Sequence, residues 1–253
     1  MKKINILAID IGNTSAHLAL YSNGRFGTEF RVPTAQLQQL AATQIRKRVS
    51  PKNLTAAVIA SVVPEAGRRL KKIISDEFGF PVWLIGKDVP VPIVNRYKNP
   101  RQVGIDRLLN AYAAYRLYRR ALVIIDFGTA ITFDIVSKKG EYLGGIIAPG
   151  IEISLEALFQ KTALLPKIRL RHPSSLIGRD TVESIRVGCS VGIGGLCDRV
   201  IERLRRTSLR NPLVIATGGY ARFMRRYCKS IDKIDDQLVL KGIVWSLLRN
   251  KKF

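Results

Sequence analysis

The sequence predicts an α/β protein made of two duplicated units, and three observations lead there. The stretch INILAIDIGNTSAHLALYSNGRFG (residues 4–27) aligns without a gap on ALVIIDFGTAITFDIVSKKGEYLGG (residues 121–145). Asp10 falls on Asp126, Gly12 on Gly128 and Gly24 on Gly140. So long an offset means duplicated domains, not a solenoid repeat. Apolar, β-rich runs alternate with helical patterns in both halves, which points to mixed α/β layers. Three of the apolar runs also close on glycine turns, at Gly12, Gly128 and Gly218–Gly219.

Each copy of the repeat reads as strand, Asp-x-Gly turn, strand, hairpin, strand. The hairpins are SNGR (22–25) and SKKGE (137–141), each with a glycine where positive φ is needed. After the first copy, residues 34–49 read as a helix carrying Leu37 and Leu40, and AAVIAS (56–61) as a short buried strand. Pro64 opens an amphipathic helix through Ile74, and PVWLI (81–85) is another strand. The segment VPVPIVNRYKNP (89–100) is neither helix nor clean strand, and a loop of that length is usually functional or disordered. From Arg107, RLLNAYAAYRLYRR forms a strong helix that leads into the second copy. The domain boundary is therefore set near residue 119, giving domains 1–118 and 119–253.

In the second half GGIIAPGIEISLEALFQKT (144–162) reads as a loop that opens a helix. Residues 181–206 are mostly helical, PLVIATGGY (212–220) is a strand running into two glycines, and LKGIVWSLLRN (240–250) is helical. Gly188, Gly192 and Gly195 lie on one helical face. That stripe weakens the helix and is expected to permit close approach of another helix.

The bulk composition removes several function classes. At 253 residues and 47% hydrophobic content, the chain has material for a core in each of two domains. No uncharged run reaches membrane-spanning length. The MKK start resembles a signal n-region, but Asn5 and Asp10 interrupt the apolar run that would follow, so a cytoplasmic location is expected with no membrane partner. Cys189, Cys197 and Cys228 lack the CxxC spacing of disulfide or zinc frameworks and read as inert thiols. Two histidines, His17 and His172, in a hairpin and a polar loop, argue against histidine-driven hydrolysis. The formal net charge is +23. Its clusters, IRKR (45–48), RRLKK (68–72), RLYRR (116–120), RLRR (203–206), RRYCK (225–229) and RNKK (249–252), are spread over the chain. They read as solvated helix faces without interleaved stacking aromatics; steering of anionic substrates or contact with nucleic acid are the sharper alternatives.

The chain contains neither GxxxxGK[ST] nor a GxGxxG after a strand, so any phosphate site must use other turns. DIGNT (10–14) offers one: Gly12 lets the backbone approach, Asn13 and Thr14 add donors, and Asp10 could hold magnesium through water. DFGT (126–129) offers a facing turn with Thr129 as donor, and ATGG (216–219) a third loop suited to a ribose or adenine edge. Together the three turns indicate a nucleotide cleft between the domains. Asp106 sits in a glycine-preceded turn at the mouth of a helix, where it could act as a base or simply cap that helix. Arg107 beside it could pair with an acidic substrate. Asp126 could serve a ligand or only tie down its turn.

This organisation is that of the actin, hexokinase and Hsp70 superfamily, two actin-like (ribonuclease H-like) domains. NPRQVGIDRLLNAYAAY (99–115), DFGTAITFDIV (126–136), GGIIAPGIEISLEALFQKTALLP (144–166), GRDTVESIRVG (178–188) and ATGG occur in one order. That order resembles type III pantothenate kinases, a family that includes the Bvg accessory factor proteins, from Asp10 to about Gly219. The resemblance implies transfer of the ATP γ-phosphate to the primary hydroxyl of pantothenate, giving 4′-phosphopantothenate, the first step toward coenzyme A. It implies an ATP phosphate loop at Asp10, Ile11, Gly12, Asn13, Thr14, Ser15, Ala16 and His17, with Thr129 a further ATP contact. Pantothenate-binding positions are Tyr97, Gly104, Ile105, Asp106 and Arg107, with Asp106 as general base. Asp126 matches the ligand of a monovalent cation, K⁺ or NH₄⁺, beside Mg²⁺ bound with ATP. Thr181 matches a substrate contact that a homodimer supplies across its interface. Two positions depart from the family pattern: Ile105 stands where a small residue or valine is frequent, and DDQLVLKGIVWS follows the closing pattern only loosely. The competing readings are another phosphotransferase of the superfamily and a kinase-like regulator that contacts nucleic acid, although nucleic acid is not expected as the main partner.

Overall fold

The computed structural model describes residues 4–207 and 209–251. The MKK start and Lys252 of the last basic cluster lie outside the described residues. Two compact units result, Met1–Arg116 with Gln237–Phe253, and Leu117–Asp236.

The first unit opens with β1 (Asn5–Ile11), β2 (Ser15–Ser22) and β3 (Arg25–Pro33), followed by α1 (Leu37–Arg48), β4 (Ala56–Ser61), α2 (Pro64–Phe78) and β5 (Val82–Leu84). A two-residue strand, β6 (Val94–Asn95), interrupts the long loop before α3 (Ile105–Tyr118). The sheet runs β3-β2-β1-β4-β5, antiparallel across the meander and parallel from β1 through β4 to β5. Strand alternation sends Leu7, Ile9 and Ile11 into a core with Leu37, Ala41 and Ile45 of α1 and Leu70 and Ile74 of α2. Ile6 and Ala8 point the other way, into a second core with Val58, Ala60 and Leu109 of α3. Both faces are covered, so β1 and β4 read as continuous apolar runs.

The second unit repeats the plan with β7 (Leu122–Phe127), β8 (Ala130–Val136), β9 (Glu141–Pro149), α4 (Ile151–Lys161), α5 (Thr181–Val187), α6 (Ile193–Arg205), β10 (Leu213–Thr217), α7 (Ala221–Met224) and β11 (Lys233–Ile234). Its strands run β11-β10-β7-β8-β9, with β10 parallel to β7 and β11. The hairpins use their equivalent glycines differently. In the first, Asn23 (φ 51°) and Gly24 (φ 82°) both adopt left-handed backbone, a two-residue primed turn. In the second, Ser137 N–H donates to Glu141 O at 2.9 Å around a three-residue loop that ends on Gly140 (φ 81°).

Four expectations need correction. Residues 144–149, expected as loop, extend β9: Phe133 pairs with Ile146 and Ala130 with Pro149. Cross-strand pairing there overrides the weak strand propensity of glycine and proline. Helix α3 begins at Ile105, so Asp106 lies inside its first turn instead of capping it. A π-helical turn over Gly188–Gly192 shifts the helical phase. As a result Gly188, Gly192 and Gly195 face open space, and the close approach falls at Gly194, whose added methyl would lie 2.8 Å from Tyr227 Cβ. Finally, helix α8 (Leu238–Asn250), placed by the sequence with residues 119–253, packs in the first unit. Leu240, Ile243, Val244 and Leu247 fill the core that Ile6, Ala8, Val58 and Ala60 would otherwise expose.

The α8 contact is tight. A methyl at Gly242 would lie 2.9 Å from the Leu109 carbonyl carbon and 3.0 Å from its Cβ. Gly242→Ala should therefore destabilise the protein by about 1–3 kcal/mol. Gly195→Ala, in a helix with nothing within 4 Å, should be neutral or stabilising by up to about 1 kcal/mol. Urea unfolding of the two variants checks the pair, and an unchanged midpoint for Gly242→Ala would contradict the packing described.

Candidate active site

The parallel strands of the first unit end together, and the turn after β1 is locked from several sides. Gly12 N–H donates to Ser15 O at 3.1 Å, and Val62 N–H donates to Ile11 O at 3.0 Å. Thr34 closes the turn from below: its hydroxyl donates to Gly12 O at 2.8 Å and its N–H to Thr14 O at 3.0 Å. Asn13 and Thr14 are exposed at the tip, while Ile11 and Ala16 are buried and supply shape. Thr34 carries no motif that would have marked it in the sequence.

Asp10 alternates with Ile6 and Ala8, so it belongs to the sheet face covered by α3 and α8. His17 pairs across from Asp10, and Arg31 across from His17. This places a carboxylate, an imidazole and a guanidinium in one cross-strand row. Burial lowers the His17 pKa first and the nearby Arg31 charge lowers it further, against the Glu29 carboxylate at 3.2 Å. Both of these effects favour the neutral ring.

The second element of the site is the start of α3. Ile105 packs into the same core as Ile6 and Ala8, and its Cδ1 lies 3.3 Å from where a Cβ on Gly86 would stand, just past the end of β5. Asp106 is thus held near the edge where the parallel strands finish, on the face that also carries Asp10. A Cβ on Gly104 would stand 2.5 Å from Asp106 Oδ1, so a larger residue there would push that carboxylate aside. That oxygen accepts from Arg107 N–H at 2.9 Å. Burial pushes the Asp106 carboxyl above the ordinary aspartate value, and the hydrogen bond and Arg107 charge only partly oppose this. Arg107 itself is 8% exposed. Tyr97 stands on the long loop, its N–H bonded to Asn95 Oδ1 at 3.0 Å, and Asn95 Nδ2 donates to Pro100 O at 3.3 Å.

In the second unit, glycines crowd Asp126. A Cβ on Gly128 would lie 3.3 Å from Asp126 Oδ1, and one on Gly218 (φ 89°) would fall on that oxygen. Gly150, at the N-terminus of α4, would strike the Thr129 carbonyl if it carried a side chain. Tyr220 N–H donates to Phe127 O at 3.3 Å, which ties the ATGG turn to the DFGT turn. The Tyr220 hydroxyl bonds Glu152, and its pKa is pushed up to about 12 by burial and that carboxylate. Sequence reasoning gave Gly128 and Gly218 but missed Gly150 and the Tyr220–Glu152 bond. Thr181 is exposed at the first position of α5, after the Asp180 cap that accepts from Glu183 N–H at 2.8 Å. The structure brings 10–17 together with Thr34, 104–107 together with Gly86, and Asp126 together with Gly128 and Gly218; Thr181 opens α5.

Among the described residues, no three His, Cys, Asp or Glu side chains gather around a metal-sized space. A divalent ion would therefore rest on one carboxylate and on phosphate oxygens, the coordination Mg²⁺ favours, and strand-end Asp10 fits that role. Around Asp126 two glycines, Gly128 and Gly218, leave room beside the carboxylate that any Cβ would take.

The family model for type III pantothenate kinase matches residues 6–203. The type III pantothenate kinase of Geobacter sulfurreducens is 38% identical over 263 residues, covering 98% of this chain and 100% of that protein. Component A of (R)-2-hydroxyglutaryl-CoA dehydratase from Acidaminococcus fermentans has a similar fold, with TM-score 0.56 and 12% identity over 97% of each chain. So does the ROK hexokinase of Thermus thermophilus, with TM-score 0.50 and 15% identity over 98% of this chain and 100% of that one. The fold is accordingly that of the actin-like kinases.

The raised pKa of Asp106 has a stability consequence. A carboxylate whose folded pKa exceeds its unfolded value binds more protons when folded, so stability falls as pH rises from the unfolded pKa through the folded one. Asp106→Asn keeps the acceptor for Arg107 N–H and removes the buried charge. Denaturant unfolding at pH 7 should find the variant at least as stable as the parent. The gap should close below about pH 4, the unfolded carboxylate's range. A variant clearly less stable at pH 7 than the parent would contradict this.

Proposed function

The chain belongs to the type III pantothenate kinase family, and we propose how its residues divide the transfer of the ATP γ-phosphate to the primary hydroxyl of pantothenate. The product is 4′-phosphopantothenate, on the route to coenzyme A. Asp106 takes the hydroxyl proton as the new O–P bond forms. The observation that carries this role is its half-buried place in the first turn of α3, where desolvation raises the carboxyl's pKa and so strengthens it as a base. Phosphoryl transfer asks mainly for positioning and charge neutralisation beyond that single base. Tyr97, Gly104, Ile105 and Arg107 hold pantothenate, with Arg107 facing its carboxylate.

Asp10 through His17 form the loop that meets the ATP phosphates. Backbone N–H groups and the Asn13 and Thr14 side chains are its donors, and Thr129 adds another. Ile11, Ala16 and His17 shape the loop. Asp10 would hold Mg²⁺ through water and Asp126 a K⁺ or NH₄⁺ ion; when bound, these cations offset the phosphate charge. Thr181 completes the substrate site of a second copy in a homodimer, and the reaction is assigned to the cytoplasm.

A direct assay with ATP, Mg²⁺, K⁺ and a panel of small hydroxy acids should give phosphorylation of pantothenate. Asp106→Asn should lose about 10²–10⁴ in kcat while ATP binding is retained. The acid limb of the parent's kcat/KM profile should lie above the usual aspartate range. Near-parental turnover in Asp106→Asn would remove the base assignment, and a different preferred acceptor would overturn the substrate.

The cation and dimer roles are separable. Activity should fall when sodium replaces potassium, and Asp126→Ala should lose both most activity and that dependence. Mixing inactive Asp106→Asn and Thr181→Ala chains under subunit exchange should restore some activity, because each hybrid would contain one site with both residues intact. Equal rates in sodium and potassium would reject the first assignment, and silent mixtures despite demonstrated exchange would reject the second.

A further inference from the structure

The basic clusters were expected to be solvated faces without stacking aromatics. In the second unit one cluster is built otherwise. The ring of His172 lies flat on Phe223, with centroids 4.3 Å apart and planes within 4°, and its Nδ1 is 2.8 Å from the Tyr227 hydroxyl. Phe223 also meets Tyr227 at 5.4 Å and Tyr220 edge-on at 6.3 Å. His172 is exposed and lies at one end of the stack. The platform is rigidly mounted. Asp198 of α6 accepts from Ser230 N–H at 2.8 Å and Lys229 N–H at 3.1 Å, and Gly194 lets α6 close on the Tyr227 backbone.

Charge surrounds this stack. Arg171 precedes His172, Arg225 and Arg226 lie between Phe223 and Tyr227, and all three are exposed. None of these three side chains forms an ion pair among the described residues. Basic clusters elsewhere are partly neutralised: Arg68 and Arg69 bind Glu65, and Arg199 and Arg206 bind Glu202.

We propose that this face binds single-stranded nucleic acid in addition to the kinase reaction, with a base stacked on His172 and phosphates on Arg171, Arg225 and Arg226. Aromatic plates beside unpaired cations suit unpaired bases, which offer a π-face regardless of sequence. A duplex hides those faces, and α7, at four residues, is too short to enter a major groove. An acidic protein or an anionic membrane would use the cations and leave the stack idle.

The test is fluorescence anisotropy of the full chain with a labelled oligothymidylate of about 20 nucleotides, titrated upward from about 50 mM salt. Arg225→Ala/Arg226→Ala should weaken binding roughly tenfold or more and flatten the salt slope by about one to two. His172→Ala should weaken it about fivefold or more with the slope unchanged, and His172→Tyr should restore it. Lys47→Ala/Lys52→Ala, which removes equal charge from the first unit, should change affinity by less than about twofold. Pantothenate phosphorylation by every variant should match the parent, which reports intact folding independently of the nucleic-acid result. The proposal is overturned if the parent does not bind, if duplex of equal length binds more tightly, or if the control variant loses as much as the arginine variant. Binding that is indifferent to His172→Ala also overturns it and leaves only a polyanion surface, as an acidic protein or membrane would require.

Discussion

Burial of a sheet on both faces leaves few places for polar chemistry, and that constraint organises the first unit. Along β1 and β4 every side chain from Ile6 to Ile9 and from Ala56 to Ala60 is fully buried. A charge within those runs would be stranded away from water at considerable cost. The first position that can carry one is the strand end, where Asp10 stands beside a turn in which Thr34 donates to the Gly12 and Thr14 carbonyls and Gly12 N–H donates to Ser15 O. Ligand sites in open α/β sheets lie at the carboxyl ends of strands for the same reason. The duplicated strand of the second unit obeys it too: Leu122 to Ile125 are buried, and Asp126 is the first residue of β7 with any exposure.

The two duplicated carboxylates have nevertheless been surrounded differently. Across the meander Asp10 pairs with His17 and His17 with Arg31, whereas Asp126 pairs with Thr132 and has Gly128 and Gly218 close to its carboxylate. A duplication supplies equivalent positions, and different neighbours then give the two carboxylates different surroundings. Asp106 has no counterpart in that symmetry. It is half-buried at a helix start, where desolvation raises its pKa above the ordinary aspartate value.

Local sequence made much of this legible. The glycine turns at Gly12 and Gly128 and the hairpins at Gly24 and Gly140 follow from φ/ψ requirements that a short stretch reveals. The helix carrying Asp106 was visible in its apolar periodicity, but its first turn was not, because Ile105 joins the helix through contact with Gly86 far away in sequence. The same limit hid Thr34, which acts by bonding backbone of a turn twenty residues earlier. It also hid Gly194, whose importance depends on a π-turn that rotates the helix, and the stack of His172 on Phe223, fifty-one residues apart. Long-range contacts decided these cases, and composition carries no record of them.

The return of α8 to the first unit gives the chain an order of completion during synthesis. Leu117–Asp236 is continuous, so the second unit has all its residues once Asp236 has left the ribosome. The first unit begins earlier but waits longer, because the face bearing Ile6, Ala8, Val58 and Ala60 stays bare until Leu240, Ile243, Val244 and Leu247 arrive. The helix that presents Asp106 packs into that same unfinished core through Leu109. A nascent chain halted before α8 would thus display a greasy half-sheet to chaperones, and the helix carrying Asp106 would lack a settled support.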